Sequence, residues 1–292
     1  MSKVIKNSEL ILNRDGSIYH LHLRPENIAR TIITVGDPER VDQVSKHFDS
    51  IDFKQQKREF KTHTGFLSNK RISVISTGIG TDNIDIVLNE LDALVNIDFK
   101  TRRTKSILTS LNIIRIGTSG TIQKNIPIDS FVLNTKALDL SGMLNNYNIE
   151  SIRNRAFEKS FCKKTNWPIE KSYPILVESC TTLNSKLYDE NIITGITATC
   201  NGFYAPQGRI LRLNPKDEKL IEKIENFSFD NLKITNFEME TSAIFGLSKL
   251  LGHKSSSINA ILANRKNGDF SKYPEKTINK LIKYCLKKLT SQ

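Results

Sequence analysis

No stretch of the 292 residues stays apolar for the roughly 18 positions a membrane helix needs. A spanning helix is therefore not expected. The opening Met1-Ser2-Lys3-Val4-Ile5-Lys6-Asn7 lacks the apolar core of a secretory signal, which points to a cytoplasmic protein. The four cysteines, Cys162, Cys180, Cys200 and Cys285, include no C-x-x-C pair. Neither a zinc ribbon nor a redox couple is suggested, and free, mostly buried thiols in a reducing compartment are expected. The five histidines form no H-E-x-x-H or comparable metal pattern. Gly78-Ile79-Gly80 does not continue as G-x-G-x-x-G, because position 83 is Asn83, so the dinucleotide-binding fingerprint is missing. There is no internal repeat and no low-complexity linker.

What is present is a globular composition, 38% hydrophobic and 25% charged. The length suits one large α/β domain or two smaller ones. Lys and Arg number 43 against 31 Asp and Glu, a net charge of +12. A basic excess fits nucleic acid, an anionic membrane, a Lys-rich surface or the handling of phosphate anions. Runs such as Lys283-Tyr284-Cys285-Leu286-Lys287-Lys288 favour the surface. The basic residues are spread along the chain, so no nucleic-acid and no membrane partner is expected.

Short β-branched runs alternate with amphipathic segments, which argues for an α/β fold. Thr31-Ile32-Ile33-Thr34-Val35 reads as a buried strand. Asp37 caps the helix that follows, with Pro38 in its first position. Ile72 to Ser76 is the next strand, and Ile84, Val87, Leu88, Leu91, Leu94 and Val95 recur at helical spacing after it. Residues 99 to 106 read as a basic polar connector. Asn112 to Ile116 is a strand ending in Gly117-Thr118-Ser119-Gly120, and Phe131 to Leu133 is another. Glu240 to Leu251 reads as a helix stopped by Gly252, and Ser257 to Leu262 as a late strand. Pro274 opens a final helix with Ile278, Leu281, Ile282, Cys285 and Leu289 on one face. The helix-free stretch at 190 to 215 is turn-rich and a candidate binding loop.

Five constellations carry chemistry, each beside a plainer reading. Gly36-Asp37-Pro38-Glu39-Arg40 joins strand to helix, where free N–H groups attract an anion; it is otherwise an ordinary capped start. Arg115 sits in a strand built for burial, so it needs an anion, either a ligand or a nearby Asp or Glu. Thr118 offers a hydroxyl and an N–H to the same anion. Lys57-Arg58-Glu59-Phe60 is a cationic segment or a solvated loop. In Phe203-Tyr204-Ala205-Pro206-Gln207-Gly208-Arg209, a ring, an amide and a guanidinium suit a planar base, or form an aromatic turn. In Phe237-Glu238-Met239-Glu240-Thr241, a carboxylate can accept from a ribose diol, or simply cap a helix.

In order along the chain, these segments, with Ser76-Thr77-Gly78-Ile79-Gly80 and Asn264-Arg265, resemble the nucleoside phosphorylase superfamily, closest to its uridine phosphorylase branch. The resemblance runs from about Tyr19 to about Leu289. It implies a three-layer α/β/α fold with a central mixed, partly barrel-like sheet, a single domain over 19–292 and an N-terminal extension over 1–18. It implies that Gly36, Arg40, Arg115 and Thr118 bind phosphate, with Arg58 from a neighbouring subunit. Glu240 and Met239 would hold the ribose, His20 would reach its 5′-hydroxyl across an interface, and Phe203, Gln207 and Arg209 would hold uracil. Arg265 would sit over the base. Arg115, Arg265 and Glu240 are the expected catalytic residues. Glu59 and Ile79 match positions that hold a monovalent cation such as K+, although Asn83 stands where that branch often has Ser. No organic cofactor is expected. The partners would be nucleoside, phosphate and further copies of the chain, as a homodimer or homohexamer.

The implied activity is conversion of uridine and phosphate to uracil and ribose 1-phosphate. Leu262-Ala263-Asn264-Arg265 lacks the Asp with which the purine branch protonates its base, which favours a pyrimidine. The alternatives are a purine nucleoside phosphorylase, a hydrolytic nucleosidase of the same fold, a basic nucleic-acid-binding protein, and an inactive relative that only binds.

Overall fold

The computed structural model describes residues 3–291. In chain order the elements are β1 (Thr31–Val35), α1 (Pro38–Ser45), β2 (Ser50–Lys57), β3 (Phe60–Leu67), β4 (Lys70–Ser76), α2 (Thr81–Asn96), β5 (Ile97–Asp98), β6 (Arg103–Thr104), β7 (Asn112–Thr121), β8 (Phe131–Asp139), α3 (Arg155–Thr165), β9 (Ile175–Glu178), α4 (Thr181–Leu187), β10 (Ile193–Thr199), α5 (Leu220–Asn226), β11 (Ser228–Phe229), β12 (Leu232–Glu238), α6 (Thr241–Leu250), β13 (Lys254–Asn264), β14 (Asp269–Phe270) and α7 (Pro274–Thr290).

The large sheet has two parts. Strands β12, β10, β8, β13 and β7 form a ring, closed where Asn236 and Phe237 of β12 pair with Thr121 and Gly120 of β7. From β7 the sheet continues open through β1, β4, β3 and β2. Parallel pairs such as β1–β4 and β1–β7 mix with antiparallel ones such as β8–β13 and β3–β4. Helices α2 and α6 cover one face through Leu88, Leu91, Ile244 and Leu247. Helices α1, α4 and α7 cover the other through Val41, Val44, Leu187, Leu281 and Ile282. Phe157 and Phe161 of α3 meet Phe227 edge-on beside α5. This is the expected three-layer arrangement around a mixed, partly barrel-like sheet. No helix among the described residues is long and apolar enough to cross a membrane.

The local signals hold where periodicity is strong. Asp37 accepts from the Glu39 amide as N-cap, with Pro38 next. Gly252 takes φ +78° just beyond α6, the left-handed stop that glycine permits. Elsewhere the structure departs from expectation. Gly117-Thr118-Ser119-Gly120 does not end its strand: β7 runs on through Thr121, because β13 pairs with it along its whole length. The 99–106 connector includes β6, which pairs with β5. Arg102 between them donates to the carbonyls of Ile5, Lys6 and Leu10, so it fastens the N-terminal segment. The 190–215 stretch contains β10, buried between β8 and β12. Leu10 and Ile18, ahead of Tyr19, are buried in the same core as α2.

Candidate active site

In open α/β sheets, ligand crevices form outside the carboxyl ends of the strands. A large cavity lies there. It has a volume of about 800 Å³ and is lined by Gly36, Asp37, Pro38 and Arg40 after β1, by Gly78 and Ile79 after β4, and by Arg115 to Gly120 in β7 through Arg115, Thr118, Ser119 and Gly120. Phe203, Gln207 and Arg209 line it from the loop after β10, Glu238, Met239 and Glu240 from the end of β12, and Leu262, Ala263 and Phe270 from β13 and β14. Four separated stretches thus bring most of the expected phosphate, ribose and base residues to one pocket.

Arg115 is buried at its centre. Its Nη2 donates to Glu240 Oε2 at 2.5 Å, and Glu238 Oε2 lies 3.5 Å away. Its Nη1 donates to Asn259 Oδ1 at 2.6 Å. The plainer reading of Arg115, an ion pair within the chain, is therefore also realised. Burial works against its charge, but Glu240 and Glu238 outweigh it and hold the guanidinium above its usual range. Burial, with the Glu238 charge adding to it, pushes the Glu240 carboxyl up, while Arg115 and the Gly80 amide pull it back. Arg40 is pushed down by burial and by nearby Arg115. Its guanidinium reaches the Ile116 carbonyl at 3.5 Å. The two guanidiniums are close enough to oppose each other's charge, an arrangement that an added anion would relieve.

The two carboxylates differ in use. Glu238 is spent inside the protein: it accepts from the Thr199 and Thr241 hydroxyls and from the amides of residues 240 and 241. Glu240, at the N-terminus of α6, accepts from the Gly80 amide and from Arg115, and like Glu238 lines the cavity.

The residues expected to hold the base come from one loop. Arg209 stacks on Phe203 at 3.7 Å from the ring centre, and donates to Gln207 Oε1 at 2.6 Å. Burial and neighbouring Arg265 push Arg209 down to about 10, still a cation at neutral pH. Gln207 is 1% exposed, and its Nε2 has no partner. A buried donor without a partner awaits an acceptor, and Gln207 is among the residues that line the cavity.

Three expected residues lie elsewhere. Arg265 does not line the cavity; it donates to the Gln207 carbonyl and, at 3.1 Å, to that of Gly208. It fastens the loop that carries Phe203, Gln207 and Arg209. Arg58 is exposed at the turn between β2 and β3, with φ +56°. His20 Nδ1 bonds Glu90 at 2.6 Å, and the amides of His20 and Leu21 bond the same carboxylate. Glu59 and Ile79 line the cavity, but the Ile79 carbonyl already accepts from Asn83 Nδ2 at 3.4 Å. No cluster of three or more His, Cys, Asp or Glu suited to a metal ion occurs among the described residues. Sequence reasoning missed Asn259 and Gly117. An amide inside the apolar run Ser257 to Leu262 was the available signal for Asn259.

A model of the phosphorylase superfamily matches residues 30–286. A uridine phosphorylase of Thermococcus kodakarensis is 29% identical over 268 residues, 90% of this chain and 83% of its own. A DeoD-type purine nucleoside phosphorylase of Streptococcus suis is 24% identical over 282 residues, 94% of this chain and 99% of its own. The crystal structure of a Trypanosoma brucei nucleoside phosphorylase, described as showing uridine phosphorylase activity, superposes with a TM-score of 0.87 at 26% identity, covering 97% of this chain and all of that one. Motifs, fold and family pattern coincide over most of the length, and this chain belongs to the phosphorylase superfamily.

Proposed function

We propose that the protein is a uridine phosphorylase, an enzyme that turns uridine and inorganic phosphate into uracil and ribose 1-phosphate. Support comes from one arrangement: Arg40 and Arg115 gather beside Glu240, while the open Gln207 amide and Arg209 stand at the other end of the same cavity.

The chemistry follows from charge. Arg40, Arg115, the Gly36 backbone and Thr118 hold phosphate and orient it below the anomeric carbon, which removes part of the entropic barrier. Glu240 accepts from the ribose diol, with Met239 beside it. The glycosidic C–N bond breaks as a phosphate oxygen forms its bond to the anomeric carbon. The electron pair of the broken bond passes into the uracil carbonyls. Gln207 and Arg209 are preset donors for that charge, so uracil leaves as a stabilised anion and takes a proton from solvent. Arg265 keeps the donor loop in place.

A purine substrate would need a proton donor at the matching segment. Asn264 there spends its amide on the carbonyls of Gln123 and Ile126. His20 and Arg58 serve a neighbouring copy in a homodimer or homohexamer; the exposed Arg58 at a hairpin turn suits that use. Four free cysteines suit the cytoplasm as its compartment.

The test is a nucleoside panel with and without phosphate, followed by ultraviolet absorbance. Uracil release should require phosphate. Equal release without it would mean a hydrolase, and cleavage of inosine in preference to uridine would mean the purine branch.

A further inference from the structure

The ring of five strands encloses a polar interior, where small barrels are ordinarily filled by apolar side chains. Asn134 comes from β8, Asn236 from β12, Asn259 from β13 and Thr197 from β10, all with 0% exposure. Arg115 and Ser119 come from β7. The bonds all run one way. Arg115 Nη1 donates to Asn259 Oδ1 at 2.6 Å, and Asn259 Nδ2 donates to Asn134 Oδ1 at 2.6 Å. Asn134 Nδ2 donates to Asn236 Oδ1 at 3.1 Å. Asn236 Nδ2 donates to Ser119 Oγ at 2.7 Å and Thr197 Oγ1 at 2.9 Å, and Ser119 Oγ donates to the Phe237 carbonyl at 2.9 Å.

A guanidinium only donates. It therefore requires the oxygen of Asn259 on its side, and that orientation dictates every amide behind it. A flipped Asn259 would set donor against donor. The chain ends on Phe237, one residue before Glu238, and Glu240 in that segment takes the other nitrogen of Arg115. The guanidinium is gripped along two edges, by the ring interior and by the ribose-side carboxylate. Stability alone does not call for this filling, since apolar groups of the same shape often serve a buried polar network's place equally well. A fully satisfied network does confer a single orientation.

We propose that Asn259, kept in orientation by Asn134 and Asn236, is a positioning residue that aims Arg115 at phosphate. This rests on the phosphate-binding role given to Arg115 above.

The test reads phosphate binding apart from turnover, as the phosphate concentration needed to raise Tm halfway to saturation, alongside KM for phosphate and for uridine. Asn259→Ala should raise the phosphate requirement about tenfold, equivalent to about 1.4 kcal/mol. The KM for uridine should move by less than about threefold, because Asn259 touches no base-side residue. Asn134→Ala, which does not touch Arg115, should shift the phosphate requirement in the same direction but less. In an Arg115→Ala background, Asn259→Ala should add nothing. If Asn259→Ala does not fold, Asn259→Ser keeps a polar group for Asn134 and withdraws the acceptor from Arg115. An unchanged phosphate requirement in the Asn259 variants, or an equal effect in both backgrounds, overturns the positioning role alone. An unchanged requirement in Arg115→Ala overturns both this role and the phosphate site it serves.

Discussion

Gly117→Ala is a one-methyl probe of the site. Gly117 sits in mid-strand, two residues from Arg115, and the Arg115 side chain lies directly across it. A Cβ there would stand 1.8 Å from Arg115 Nη1 and 2.4 Å from Asn259 Oδ1. The backbone at Gly117 is not left-handed, so alanine brings no dihedral strain. The methyl must be relieved by swinging the guanidinium away from Asn259, at 2.6 Å, and Glu240, at 2.5 Å. Hydrogen bonds to charged groups contribute about 1.5–3 kcal/mol each. Losing two, with partial rehydration in the cavity, should lower stability by roughly 3 kcal/mol. For a chain of this size that is a fall in Tm of about 6 °C. On the proposed function the displaced guanidinium no longer meets phosphate, and loss of one preset charged donor costs about 10²–10³-fold in rate. The assay is phosphate-dependent uracil release, as kcat/KM for phosphate, beside a thermal melt. Gly120→Ala is the stability control, because its methyl meets nothing nearer than 3.5 Å and Tm should hold. Wild-type kcat/KM and Tm in Gly117→Ala would refute the placement of Arg115 across this glycine.

Other perturbations separate the ends of the cavity. Since burial raises the Glu240 carboxyl, kcat/KM should fall on its acid side from a pH above the ordinary glutamate value of about 4.3. Protonation takes the charge from Arg115 and the acceptor from the ribose; a profile flat down to that value would be inconsistent with Glu240 as the ribose acceptor. Gln207→Leu removes the open donor, and kcat/KM for uridine should drop about 10–100-fold with phosphate saturation unchanged; undiminished uridine turnover would remove Gln207 from base recognition. Arg265→Ala frees the Gln207 and Gly208 carbonyls, so KM for uridine should rise while KM for phosphate holds. A parallel rise in both would mean that Arg265 supports the whole fold and not the base loop.

Residues carrying function were legible where the chemistry is local. Gly36-Asp37-Pro38 announces a strand-to-helix turn because capping and proline geometry depend on neighbours in sequence. The apolar spacing from Ile84 to Val95 announces α2 for the same reason. The hairpin of β2 and β3 was not legible. Ser50–Lys57 is half exposed and has only Ile51 and Phe53 as its apolar residues, so it carries no apolar run to mark a strand. Nor was the extent of β7, since Gly117 and Gly120 read as a turn until their pairing with β13 and β12 is known.

Residue order alone thus determined the α/β class, the starts of α1 and α7, the extent of α6 and the set of side chains suited to an anion, a sugar diol and a planar base, because these follow from periodicity, capping and chemical type. Tertiary structure decided the rest. It closed the ring between β7 and β12, paired Arg115 with Glu240 and Asn259, turned Arg265 onto the loop carbonyls and left Gln207 with an open donor. Those outcomes depend on which groups meet across distant parts of the chain, and a donor's partner in a low-dielectric interior is set by who stands opposite it in space, not by its neighbours along the chain.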